Sequence, residues 1–201
     1  MIDMSTGYLK HSAVEAIIAA AANSELSLRK YGIPFHTYGS GSDSMIPDGQ
    51  SMIERTFQGL LVAIGEGKVL GGLGQLETVN AISPTQLVID NDIVGMIRKS
   101  RQEIKWDDEH LAADVIAEVG PGGQFLDHIH TYHHFREVFR PRTFNQKSRS
   151  EWLAEGKRDI LDRANDILDE IMRTHKVSPL PTEVADWLEE IVSRADEHLL
   201  K

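Results

Sequence analysis

The chain has 201 residues, 41% of them apolar and 26% charged, which is enough for one globular domain with a real core and argues against disorder. It contains no cysteine, which excludes disulfides, thiolate metal sites and a cysteine nucleophile and fits a cytosolic setting. A formal charge of −10, with lysines and arginines scattered among acids, makes nucleic acid a poor partner. No long run of uncharged apolar residues occurs and the opening MIDMSTGYLKHS lacks a basic n-region, so neither a membrane span nor a secretory leader is expected.

Ser12-Ala-Val-Glu15 has the spacing of a capping box and predicts a helix running to Tyr31, where Gly32 and Pro34 stop it. Ile33 to Tyr38 is rich in β-prone residues and predicts a short strand. A polar loop follows, SDSMIPDGQ (42 to 50), and helical spacing returns from Ser51 to Ile64, ended by Gly65-Glu-Gly67. Lys68 to Leu76, KVLGGLGQL, predicts a buried parallel strand whose glycines let the backbone lie close to a neighbour.

Strand, loop, helix, strand makes a βαβ unit, and in parallel α/β folds the loops at the carboxyl ends of strands build the site. Ser42 to Gln50 leaves the first strand, and Gln75, Glu77, Thr78 and Asn80 follow the second, so both are expected on one rim.

From Ser83 onward the pattern is helical. Ser83-Pro84-Thr85-Gln86 predicts a capped helix to about Arg101, and Asp107 or Asp108 caps another, closed by Gly120-Pro-Gly-Gly123. A short helix is predicted over Thr131 to Phe139. Ser148-Arg-Ser-Glu151 opens a long amphipathic helix to about His175, and Thr182 to Leu199 forms a last helix after Pro179 and Pro181. Residues 1–145 form an α/β part with few strands, and 146–201 a helical extension. Two parallel strands, even with a stub near Ile2 to Met4, are too few for a sheet buried on both faces. The chain is therefore expected either to dimerise or to be the back portion of a (β/α) barrel, a fold of about 250 residues.

Several segments, in order, carry a family likeness: DMSTG (3 to 7), YGIPFHTYGSGSDSMIPDGQSMIE (31 to 54), GGLGQLETVNAISPTQLVIDNDIVGMI (71 to 97), IAEVGPGGQFLDHIHTYHHFRE (116 to 137) and the W-x3-G of Trp152 to Gly156. Through these the chain resembles the trimethylamine methyltransferase family, whose members demethylate methylated amines and pass the methyl group to a corrinoid protein. The resemblance implies the carboxyl-terminal portion of a TIM-type barrel, with a small methylated amine in its mouth. It also implies a corrinoid (cobalamin) carried by a partner protein that docks over the rim, and no cofactor bound by the chain itself. Founding members carry pyrrolysine in or near the segment matching Ser42 to Gln50. Standard residues stand there here, as in the branch that includes enzymes for quaternary amines such as glycine betaine.

Asp43, Asp48, Gln50 and Glu77 are the polar candidates. A quaternary ammonium offers no hydrogen-bond donor, so carboxylates and aromatic faces must hold it. Asp43 and Asp48 also suit turns and helix caps; Asp48 is the better cap and Glu77 the better ligand. His36 and Tyr38 share one side of the first strand and offer aromatic faces, or simply pack. The set expected to line a substrate pocket is therefore Glu77, Asp43, Tyr38, His36 and Gln50.

His130 and His134 are four apart and share a helix face, a ligand-like spacing, but Thr131 stands where the HExxH glutamate belongs, so no metal is assigned and the pair is kept as an alternative. GGLG lacks both the GxGxxG spacing and the Walker lysine. Asp90, Asn91 and Asp92 fall within a helix, where a solvated or interface face is expected. The readings left open are an amine methyltransferase, a non-enzymatic remnant acting through homo-oligomer assembly, and a metal protein built on the histidines.

Overall fold

The computed structural model describes residues 1–199, which divide into two compact units, Met1–Leu168 and the segment from Asp169 on. Among the described residues the molecule is helix-dominated with four short strands. No described helix is long and apolar enough to cross a membrane.

The first helix, α1 (Val14–Tyr31), ends as its sequence predicts on left-handed Gly32. Its start differs: Ala13 is the cap, without a side-chain hydrogen bond. The Ser12 amide instead donates to the Asp43 carboxylate at 3.1 Å, which draws Ser12 out of the capping position. Strand β1 (His36–Tyr38) then leads through the polar loop to α2 (Gly49–Ile64), capped by Asp48, which accepts from the Ser51 amide at 2.9 Å.

The expected second strand splits. β2 (Val69–Gly71) pairs in parallel with β1, His36 opposite Val69 and Tyr38 opposite Gly71, which is the βαβ unit. Gly72 and Gly74 then adopt φ of +93° and +74°, conformations open to glycine, and turn the chain into β3 (Gln75–Leu76). β3 pairs antiparallel with β4 (Ala81–Ile82). A Cβ at Gly72 would lie 2.9 Å from the Gly41 nitrogen, so the glycines do serve close backbone approach. The stub at Ile2 folds back on Leu9 through one antiparallel bridge.

α3 (Pro84–Ser100) starts as read, with the Ser83 hydroxyl accepting from the Gln86 amide at 3.2 Å. The helix expected after Asp107 is two, α4 (Asp108–Leu111) and α5 (Ala113–Val119), separated by left-handed Ala112. α6 is Ile129–His134, displaced from the expected 131–139 because His128 caps it and turns follow Phe135. The long helix from Ser148 is also two. The capping box forms and opens α7 (Arg149–Ala154), Gly156 and Lys157 take positive φ, and α8 (Ile160–Thr174) begins afresh. In the second unit, α9 (Thr182–Leu199) has the predicted bounds.

α2, α3 and the start of α8 enclose a small apolar core of Ala63, Ile89, Ile93, Ile97 and Ala164. Beside it lies a buried polar centre. Arg55 and Asp90 form an ion pair with side chains 0% and 1% exposed. The Arg55 guanidinium also donates to the Ser40 carbonyl at 2.6 Å, the Gln75 carbonyl at 2.9 Å and the Ser51 carbonyl at 3.1 Å. Asp90 further accepts from the Gly74 backbone amide at 2.6 Å and the Gln86 side-chain Nε2 at 2.8 Å.

Of the three residues expected on a solvated or interface face, Asn91 is exposed but Asp90 and Asp92 are buried within the chain, and Asp92 holds the Thr143 amide and hydroxyl, each at 2.7 Å. Burial pushes the Asp90 carboxyl up and the Arg55 guanidinium down, each opposed by its partner. The guanidinium starts so far above neutral pH that it stays charged. Removing one partner strands the other charge in the interior. Asp90→Ala should therefore cost about 3–5 kcal/mol in urea unfolding, and Arg55→Leu/Asp90→Leu together markedly less than the sum of the single changes.

Candidate functional site at the strand carboxyl ends

The chain leaving β1 and the chain leaving β2 run together. The Gly39 and Ser40 amides both donate to the Gly71 carbonyl, at 3.0 and 3.1 Å. Farther out, the Glu77 amide donates to the Ser44 carbonyl at 2.8 Å and the Thr78 amide to the Ser42 carbonyl at 3.1 Å. The two loops thus form one rim, as the βαβ reading expects, and Arg55 grips both through Ser40 and Gln75.

Asp43 ties that rim to the start of α1. Its carboxylate accepts from the His11 amide at 2.9 Å, the Ser12 amide at 3.1 Å and the Thr78 hydroxyl at 2.8 Å. Gln50 donates to Glu54 at 2.8 Å, and the other oxygen of Glu54 takes the Ser42 hydroxyl at 2.7 Å and the Asp43 amide at 2.8 Å. Asp43 and Gln50 are thus engaged in holding the loop. Glu54 was missed at the sequence level because a glutamate one turn into a helix reads as a solvated side chain; its i, i+4 relation to Gln50 was the available signal.

Glu77 sits where the backbone is most unusual. Glu77, Thr78 and Val79 have φ of +50°, +52° and +76°, three successive non-glycine residues in the left-handed region, and Thr78 and Val79 are β-branched. Such conformations cost of order 1–3 kcal/mol each and collect at functional loops. The turn is held by the two rim hydrogen bonds and by the β3–β4 pairing of Leu76 with Ala81. It leaves the Glu77 side chain exposed.

His36 and Tyr38 do lie on one side of β1, with ring centroids 6.2 Å apart, and Tyr38 meets His11 edge-on at 5.2 Å. The β1–β2 register sets Val69 and Gly71 beside them, and this face is exposed. Thr37 and Leu70 point to the other side, where Leu70 reaches Gly59 of α2. Tyr38, His11, Asp43 and Thr78 therefore form a continuous chain of contacts from the aromatic face to the strained turn. Next to it the Ser40 hydroxyl and the Gln75 side-chain oxygen are buried without a hydrogen-bond partner.

The histidine run is elsewhere. His130 and His134 stack with centroids 4.3 Å apart, but His130 Nε2 is engaged with the Glu109 carbonyl at 2.8 Å. Among the described residues, the group with ligand atoms in mutual reach is His110, His134 and Glu137. His110 and Glu137 were not singled out from the sequence, because 24 residues separate His110 from His134 and the pair shares no periodic pattern.

Fold and site together define an α/β chain whose strand-end loops are gathered into one rigid rim with an aromatic face beside it. The chain belongs to the trimethylamine methyltransferase family, whose family model matches residues 1–199. It is 34% identical over 167 residues to trimethylamine methyltransferase MttB of Desulfitobacterium hafniense (strain DSM 10664 / DCB-2), covering 83% of this chain and 34% of that protein. Trimethylamine methyltransferase MttB of Methanosarcina barkeri is 31% identical, covering 97% of this chain and 39% of that protein. Glycine betaine methyltransferase of Desulfitobacterium hafniense (strain Y51) is 29% identical, covering 96% and 40%. The chain thus spans well under half the length of these relatives.

Asp48 gives the rim its helix anchor. The Ser51 amide and the Ser44 hydroxyl hold its carboxyl below the ordinary value of 3.8. A depressed folded pKa stabilises the fold above the unfolded value and loses that effect as pH falls through the folded one. Asp48→Ala should lower Tm by about 2–4 °C near neutrality, and the gap to the unaltered chain should close as pH drops below 3.8 in thermal melts.

Proposed function

We propose that this chain forms part of a methyltransferase that takes a methyl group from a methylated amine of the trimethylamine or glycine betaine type and delivers it to a corrinoid protein. The observation that carries this reading is the family match over residues 1–199, joined to the gathered strand-end rim. In this reading the β1–β2 pair belongs to a (β/α) barrel, of which residues 71–80 and 39–50 form part of the mouth.

A methylated ammonium is a cation with little or no hydrogen-bonding capacity, so its site needs charge and ring faces. Glu77 supplies the charge from an exposed position, on a turn that cannot relax without breaking its bonds to Ser42 and Ser44. His36 and Tyr38 supply the ring faces, on the side of β1 turned away from α2. Asp43 and Gln50 act one step back, by fixing the loop that carries the site. The corrinoid of the partner protein supplies the methyl acceptor.

When the methyl carbon leaves, the nitrogen keeps the bonding pair and no proton need move. The substrate's positive charge disappears with the transfer. A carboxylate near that nitrogen therefore favours the charged substrate over the neutral amine and assists product release. Orientation, cation binding and water exclusion are what these residues contribute, in place of acid–base chemistry.

The test is methyl transfer to cob(I)alamin from trimethylamine or glycine betaine by the product of the full gene carrying these residues, followed by absorbance. Transfer is expected from at least one of them. Glu77→Gln should raise KM about tenfold without lowering kcat, as expected for loss of an interaction made to the charged substrate. Absence of transfer from any methylated amine would refute the assignment.

A further inference from the structure

We propose that His110, His134 and Glu137 form a binding site for a divalent transition-metal cation of the zinc type, separate from the strand-end rim. One ligand atom from each lies within 4.8 Å of the others. Two imidazoles and one carboxylate are a recurrent ligand set for zinc, with a fourth position left to water.

The state of each histidine favours a cation. His110 presents its Nδ1 to the Asp107 carboxylate, while its Nε2 is buried and has no hydrogen-bond partner. A carboxylate behind one ring nitrogen and an unsatisfied nitrogen on the other side is the arrangement of a metal-ligating histidine: the partner fixes the ring and makes the free nitrogen a better donor. A buried imidazole nitrogen without a partner is otherwise a cost the fold has no reason to keep.

His134 meets Glu137 through Nδ1 at 2.9 Å, and its Nε2 lies 3.4 Å from the Glu109 carboxylate. It is thereby buttressed on the side away from the proposed ion. The Glu137 side chain is exposed at the edge of the cluster, beside His134 Nδ1. Three carboxylates, Asp107, Glu109 and Glu137, thus surround two imidazoles in a small volume, and a dication balances them. His130 is outside the set, since among the described residues the group with ligand atoms within 4.8 Å of one another takes in only His110, His134 and Glu137.

The site would join two elements that are weak alone. α4 has four residues and α6 six, each too short to persist without tertiary support. A metal bridging His110 on α4 to His134 and Glu137 at the end of α6 cross-links them, in a stretch that contributes no residue to the main apolar core.

The experiment is titration of the metal-stripped full gene product with Zn2+ in a calorimeter, with Co2+ absorption as a second readout. One Zn2+ per chain with tight binding is expected. Glu137→Gln, a change at an exposed side chain that should leave the circular dichroism spectrum unchanged, should weaken binding at least tenfold, and His110→Ala should abolish it. Asp107→Asn keeps the α4 cap but loses the buttress, and should weaken binding about 10–100-fold. His130→Ala and His133→Ala should bind as the unaltered chain does. No Zn2+ binding, or binding that survives Glu137→Gln and fails in His130→Ala, would overturn the assignment.

Discussion

The Arg55–Asp90 pair is the constraint on which the rest of the site depends. A guanidinium taken wholly out of water needs every N–H directed at an acceptor, and here the acceptors are Asp90, Ser51 and the carbonyls of Ser40 and Gln75. Two of those carbonyls belong to the segments that follow the parallel strands. The planar fork therefore sets the distance between the two rim loops, and α2 and α3, which carry the pair, are locked to the same frame. A lysine offers no such fork: its single nitrogen cannot address four acceptors in a fixed plane.

Upon that frame the rim shows a division of labour. Asp43, Glu54 and Gln50 consume their polar groups in each other and in nearby backbone, which makes the loop stiff. Stiffness in turn allows the left-handed run at 77–79 to exist, because a free loop of Glu-Thr-Val would relax to ordinary dihedrals. Such stiffness suits the cation site proposed above, since a group with little hydrogen-bonding capacity is selected by shape and charge and both require groups that do not move.

Much of this was legible from residue order, and the misses have identifiable causes. Local chemistry read well: Asp48 at α2, Ser83 with Pro84 at α3, and the Ser148–Glu151 box all cap as their spacing says. The parallel pairing and shared rim also followed from pattern. Ser12 shows the limit, for its box is sound locally and is overridden by a carboxylate 31 residues away. Helical periodicity ran on across Gly156 and Lys157, where two residues of positive φ end one helix before the next begins. Asp90 looked solvated because aspartate usually is, although its place beside Ile89, Ile93 and Ile97 marked the inner face. Asp43 and Gln50 show why polar loop residues are hard to sort: the chemistry that suits a ligand also suits a brace.

The β1–β2 pair has a further consequence. Each strand is hydrogen-bonded to the other on one flank, and no third strand joins them among the described residues. Main-chain amides and carbonyls thus face outward along both borders, where a further strand has groups to pair with. Three residues per strand give too little length for such borders to nucleate fibrous stacking.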